Sequence, residues 1–134
     1  MTKDKPNQIP VEHVETRNHI GTHLVYDFWH CQNLSDNAKH MEKVLINAAH
    51  AANATVLGTL SHKFDPQGVT VVLLLAESHI SLHSWPEHDY VGIDVFTCGK
   101  QMEPTEAIAH LRAVLKPKSV EKTHLIRGED YDRK

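Results

Sequence analysis

Three strand-length runs stand almost end to end between Val69 and Thr97, and they leave the chain few folds to choose from. Val69 to Ala76 is apolar at every position except Thr70, which makes it a central strand, buried on both faces or on one face and a subunit interface. His79 to Ser84 alternates His, Ile, Ser, Leu, His, Ser, the period of a half-buried strand. Trp85-Pro86-Glu87-His88-Asp89 turns the chain, and Tyr90 to Thr97 reads as the next strand. Runs this close pair as hairpins, because a parallel pairing needs a crossover of a dozen or more residues. Set among these core strands are Glu77 and Ser78, His83 five residues beyond the serine, and Cys98. Polar chemistry that breaks the local apolar pattern marks a functional site.

The flanking sequence completes an α+β fold. Thr22 to Trp29 is β-branched and aromatic and reads as a strand. Gln32 to Asp36 is a loop with capping residues, and a helix follows to about Ala52. Met41, Val44, Leu45, Ala48, Ala49 and Ala52 fall on one face of it. Ala54 to about Phe64 is a further strand, and Asp65-Pro66-Gln67-Gly68 a tight turn. Pro104 opens a second helix with Ala107, Ile108, Leu111, Val114 and Leu115 on its core face, and Pro117 stops it. Ser119 to Arg127 is the last strand. The expected architecture is a two-layer sandwich, one mainly antiparallel sheet with two helices packed on one face. A single domain over residues 19–128 lies between a polar N-terminal stretch, 1–18, read as a mobile tail or loosely docked arm, and a polar C-terminal tail, 129–134.

Composition excludes several function classes. A chain of 134 residues suits one domain that buries about two-thirds of its unfolded surface. Its net charge of −3, with both signs scattered, gives no footprint for nucleic acid or a membrane surface. No apolar run approaches the ~18 residues of a spanning helix, and MTKDKPNQIPVEHVETRN has no apolar core of a secretory signal. Two cysteines, Cys31 and Cys98, cannot make a disulfide framework, so a reduced, cytoplasmic setting is expected. Cys31 reads as a small buried hydrophobe. Despite 12 histidines, His79 and His83 with His88 or Cys98 form no recognised ligand spacing, and no metal is expected.

Two motifs carry a specific resemblance: ESHISLHSWPE at residues 77–87 and DVFTCG at 94–99. Together they resemble the self-processing site of the bacterial and archaeal S-adenosylmethionine decarboxylases, small pyruvoyl-dependent enzymes of polyamine synthesis, and the likeness extends from about Gly21 to Gly128. The resemblance implies that the Ser78 hydroxyl attacks the Glu77 carbonyl and that the chain breaks between Glu77 and Ser78, giving fragments of 77 and 57 residues. Ser78 would become a pyruvoyl group, the only cofactor, whose ketone forms a Schiff base with the substrate amine and takes up the electrons left by carbon dioxide. By the same resemblance His83 is the proton acceptor in processing, for which imidazole is suited. Cys98 is the proton donor in decarboxylation, a thiol of ordinary pKa ~8.5 being mostly protonated at neutral pH.

The remaining assignments also follow from the resemblance. Glu87 matches a glutamate that binds ribose hydroxyls, and Phe64 an aromatic that stacks on adenine. Their plain alternatives are a solvated turn glutamate and a core phenylalanine; that of Cys98 is a buried small hydrophobe. His79 is held as a supporting residue, and Trp85 as packing. Two departures stand out: Ser84 replaces the usual threonine, and Thr70 replaces a serine thought to assist processing. The family implies a homodimer of processed protomers with sites near the interface. Two rival functions remain, a decarboxylase of arginine or ornithine with the same machinery, and an unprocessed regulatory homologue. From the residues alone comes one geometric expectation. Ser78 and His83 are an odd number of positions apart, so a straight strand would face them oppositely, and joint action requires a bend near Glu77-Ser78.

Overall fold

Asn37 sets the start of the first helix: its side chain accepts the His40 N–H at 2.8 Å, an N-cap that releases the backbone into α1 (Ala38–Ala51). The computed structural model describes residues 2–4, 19–98 and 101–129. In chain order the other elements are β1 (Thr2–Asp4), β2 (Gly21–Trp29), β3 (Val56–Lys63), β4 (Val69–Leu75), β5 (Ser78–Trp85), a 3-10 turn (Pro86–His88), β6 (Tyr90–Thr97), α2 (Pro104–Leu115) and β7 (Ser119–Arg127). Pro104 occupies the first turn of α2, and Lys116 ends it in the left-handed region, at φ 52°, just before Pro117.

The strands form one sheet in the order β1-β7-β2-β6-β5-β4-β3. Every pairing is antiparallel except that of β1, which lies parallel to β7. Thr2–Asp4 is thus a docked strand; the rest of the expected N-terminal stretch up to residue 18, and the C-terminal residues from 130, lie outside the described residues.

Both helices supply the apolar layer over one face of the sheet. Met41, Val44, Leu45, Ala48 and Ala49 of α1, with Ala52, join Ala107, Ile108, Leu111 and Leu115 of α2 in one core. The sheet contributes every second residue: Leu24, Tyr26 and Phe28; Val69, Val71, Leu73 and Leu75; Ile80 and Leu82; Val91, Ile93 and Val95. Among the described residues no helix covers the opposite face, and Leu60, Val72, Leu74 and Leu125 stand exposed on it. β4 is therefore buried on one face only, and its unbroken apolar sequence leaves Val72 38% and Leu74 58% exposed. Among the described residues no helix is long and apolar enough to cross a membrane.

Candidate active site

β5 is the axis of the site, and its neighbours fix what stands beside each polar residue. Its start, Ser78, pairs with Leu75 of β4 and Thr97 of β6; near its end, His83 pairs with Thr70 and Gly92. At ~3.3 Å of rise per residue, Ser78 and His83 are roughly 16 Å apart along one continuous strand. The structure thus sorts the expected site residues into two groups, one at each end of β5.

The first group surrounds the Glu77–Ser78 peptide. Ser78 has φ 144°, in the region that a side chain with a Cβ rarely adopts. The backbone is thus distorted where joint action with His83 would require a bend, but β5 keeps unbroken register from Ser78 to His83 and the two are not brought together. By register Ser78 would follow Leu75 and Thr97 toward the helix layer, yet its hydroxyl lies 3.4 Å from Nδ1 of His79, a residue of the open face. The Glu77 carbonyl accepts the Cys98 backbone N–H at 3.1 Å and faces the Cys98 thiol at 3.5 Å. Cys98 is exposed, not the buried hydrophobe of its plain alternative, whereas Cys31 is buried as expected. Burial, with Asp89 nearby, pushes the Cys31 thiol up to about 11, so it stays protonated and inert. His79 lies against Phe96, with ring centroids 5.8 Å apart.

The second group lines a cavity of about 620 Å³ at the other end of the strand, within the size range of small-molecule pockets. Phe64, Thr70, His83, Trp85 and Glu87 all face it. Phe64 is 48% exposed and is no core residue; Glu87 sits exposed in the 3-10 turn. Trp85, expected to pack, is also a cavity wall at 44% exposure. The Thr70 hydroxyl and His83 Nδ1 are 3.0 Å apart, so threonine keeps the contact that a serine would make there. In the tautomer whose Nδ1–H donates to that hydroxyl, Nε2 keeps a lone pair with which the imidazole can accept a proton. Ser84, on the buried side, accepts the Val69 N–H at 2.9 Å and donates to the Val69 carbonyl at 3.3 Å, so its hydroxyl ties β5 to the start of β4.

The loop that presents Phe64 is clamped by residues that sequence reading missed. Asp36 accepts the Gly68 N–H at 2.8 Å and pairs with Lys63 at 3.1 Å. Lys63 also donates to the carbonyls of Phe64 and Pro66, at 2.9 and 3.3 Å. Gly68 has φ 109°, and a Cβ there would come within 3.3 Å of the Ser84 carbonyl, so the position requires glycine. The Gly68 N–H, and after it Lys63, hold the Asp36 carboxyl below the usual aspartate range. A folded-state pKa below the unfolded one gives stabilisation that is present above the unfolded value of ~3.9 and fades as pH falls through the lower folded value. D36A is therefore expected to lower the urea midpoint at pH 7 by roughly half a molar or less, since the pair is exposed. That gap closes on acidification below pH ~4, as paired denaturation curves at successive pH values will show.

Among the described residues no group of three or more His, Cys, Asp or Glu side chains is placed to hold a metal ion. What the two groups can do together is acyl and proton chemistry: a hydroxyl beside a gripped carbonyl, an exposed thiol, an imidazole, and an aromatic cavity with one carboxylate.

Comparison with known proteins is consistent along most of the chain. Residues 22–128 match the family model described as S-adenosylmethionine decarboxylase. The chain is 46% identical over 110 residues to an S-adenosylmethionine decarboxylase proenzyme of Methanococcus vannielii, covering 81% of this chain and 90% of that one. A proenzyme of the same name from Thermotoga petrophila is 40% identical over 114 residues, covering 84% and 87%. Among solved structures, the adenosylmethionine decarboxylase of Aquifex aeolicus superposes with a TM-score of 0.75 at 33% identity, covering 82% of this chain and 92% of that chain.

Proposed function

The chain belongs to the S-adenosylmethionine decarboxylase family, and from that premise we propose that it cuts itself between Glu77 and Ser78 and then decarboxylates S-adenosylmethionine, supplying an aminopropyl donor for polyamine synthesis. One observation carries the proposal: the carbonyl to be attacked is already held by a backbone N–H, next to a hydroxyl on strained backbone. In the first step Ser78 Oγ bonds to the Glu77 carbonyl carbon, its proton passes to the Ser78 nitrogen, and the C–N bond breaks, converting amide to ester and freeing the amine. The Cys98 N–H, 3.1 Å from that oxygen, stabilises the charge that builds on it. Loss of the Ser78 Cα proton then expels Glu77 as a carboxylate, and water replaces the nitrogen left on residue 78, releasing ammonia. His83 takes up the proton.

Ser78 and its surroundings fit the resulting pyruvoyl group, because the exposed Cys98 thiol lies beside the bond that forms it. That group supplies a ketone conjugated to an amide, an electron sink for the pair that carbon dioxide leaves behind. Cys98 delivers a proton to the substrate carbon. Phe64 and Trp85 offer aromatic faces to a purine and a sulfonium, and Glu87 a carboxylate to ribose hydroxyls. A cavity walled by two aromatics favours this substrate over arginine or ornithine.

His83 and the cavity cannot serve Ser78 of the same chain across roughly 16 Å of strand. We infer a homodimer in which they serve the partner's Ser78. The exposed Leu60, Val72, Leu74 and Leu125 give the open face the apolar character of an interface. A two-fold axis lying between two such faces, and running across the strands at the middle of β5, lays each Ser78 end over the partner's His83 end.

The intact mass of the denatured protein tests the first step. Two species matching residues 1–77 and 78–134, the shorter with a blocked N-terminus, are expected. A single uncut species after long incubation would overturn the proposal and favour a regulatory homologue. With cut protein, carbon dioxide release from S-adenosylmethionine, arginine and ornithine offered in turn identifies the substrate.

A further inference from the structure

The turn that carries the bond to be cut is fastened by the residue that leads into β3. Thr55, immediately before β3, donates its backbone N–H to Glu77 Oε1 at 3.1 Å and its hydroxyl to Glu77 Oε2 at 3.3 Å. Its carbonyl accepts the Ala76 N–H at 2.9 Å. One residue thus spends all three of its hydrogen-bonding groups on Ala76 and Glu77. The β3–β4 ladder shifts register between Val56 and Gly58, one position further on, so the strand bends where it leaves this contact.

The consequence follows from where Glu77 is held. Its carboxylate is fixed on Thr55, and its carbonyl on the Cys98 N–H. With both ends anchored, Glu77 cannot rotate, and the strain at Ser78, φ 144°, has no easy route to relax by turning the peptide away. Release the carboxylate and the carbonyl can swing off the Cys98 N–H, which misaligns the attack that needs it. We infer that Thr55 is a positioning residue for self-cleavage, acting through the Glu77 side chain. The inference rests on the proposed cleavage between Glu77 and Ser78.

The test follows cleavage in time. Wild-type, T55A, T55S, E77A and the T55A/E77A double variant are made in a cell-free translation, quenched in denaturant at intervals and weighed intact. E77A removes both side-chain bonds and is expected to slow cleavage by roughly 10-fold or more. T55A leaves the backbone N–H bond and slows it by about 3-fold to 10-fold, while T55S, which keeps the hydroxyl, stays within about 2-fold of wild type. Because both substitutions break one contact, the double variant is no slower than E77A alone. Once fully cut, T55A decarboxylates at about the wild-type rate per cut chain, a separation that general damage to the fold would not give. Thr55 and Glu77 lie at the surface of a turn, and circular dichroism checks that each variant folds. Cleavage of T55A at the wild-type rate, or a double variant slowed by the product of the two single effects, overturns the inference while the proposed activity stands. A wild-type chain that never cuts removes both.

Discussion

S78A stays whole. A single mass corresponding to residues 1–134 is expected however long the protein is incubated, with no carbon dioxide released above background. The reason is stoichiometric as well as geometric: without Oγ no ester forms, and without the ester nothing is expelled. The fold should survive, since Ser78 makes no backbone change by losing a hydroxyl whose one described partner is His79 at 3.4 Å. The strain should survive too. Alanine keeps the Cβ that makes φ 144° unfavourable, whereas glycine removes it. S78G, equally uncut, is therefore expected to be more stable than S78A by about 1 kcal/mol, at the lower end of what such backbone conformations cost. Urea denaturation of the two uncut chains measures the difference. Equal stabilities would mean that the backbone at the proposed processing bond stores no strain, and cutting of S78A would place the reactive group elsewhere.

That pairing of strain and chemistry shows what a sequence can and cannot disclose. Parity tied a bend near Glu77-Ser78 to joint action with His83; the backbone is distorted at Ser78, but the unbroken register of β5 keeps His83 away. The strand from Ser119 to Arg127 and the Pro104 start of the second helix were equally readable, because caps, proline and alternation are local signals. Thr55 and Asp36 gave no such signal. A polar residue in a loop is ordinary until its partner is known, and theirs lie 22 and 32 positions away, in Glu77 and Gly68. A tryptophan beside strand residues usually packs, and nothing in the sequence marks Trp85 as different; its exposure depends on which way the turn after β5 folds. The apolar run at β4 concealed its own asymmetry: seven strand residues with little polarity cannot say that one face meets helices while Val72 and Leu74 stand exposed on the other. Sequence spacing could say only that Ser78 and His83 face oppositely on a straight strand; that β5 runs unbroken between them, and so keeps them far apart, depends on its pairing with β4 and β6.

Mixing two inactive variants decides whether that separation is bridged by a second protomer. S78A lacks the proposed reacting hydroxyl, and H83A lacks the proposed proton acceptor; each alone is expected to show no measurable decarboxylation. In a mixed dimer of the proposed geometry one site combines both defects. The other combines the intact Ser78 of the H83A chain with the intact His83 of the S78A chain. Random assembly of equal amounts makes half the dimers mixed, with one of two sites whole, so about a quarter of wild-type activity is expected after co-expression. Mass spectrometry adds a sharper readout, because the two chains are not equivalent in the mixture. Only H83A chains can be cut, using the histidine of their partner, and every S78A chain must stay whole. If each site lay within one chain, neither variant would contain a complete set and mixing would restore nothing. The open face makes the same point from the side of assembly. Charging it with L74D, at a residue 58% exposed and outside both groups, should separate the protomers in sedimentation. Cleavage and decarboxylation should be lost with the dimer, although every residue of both groups is still present in each separated chain.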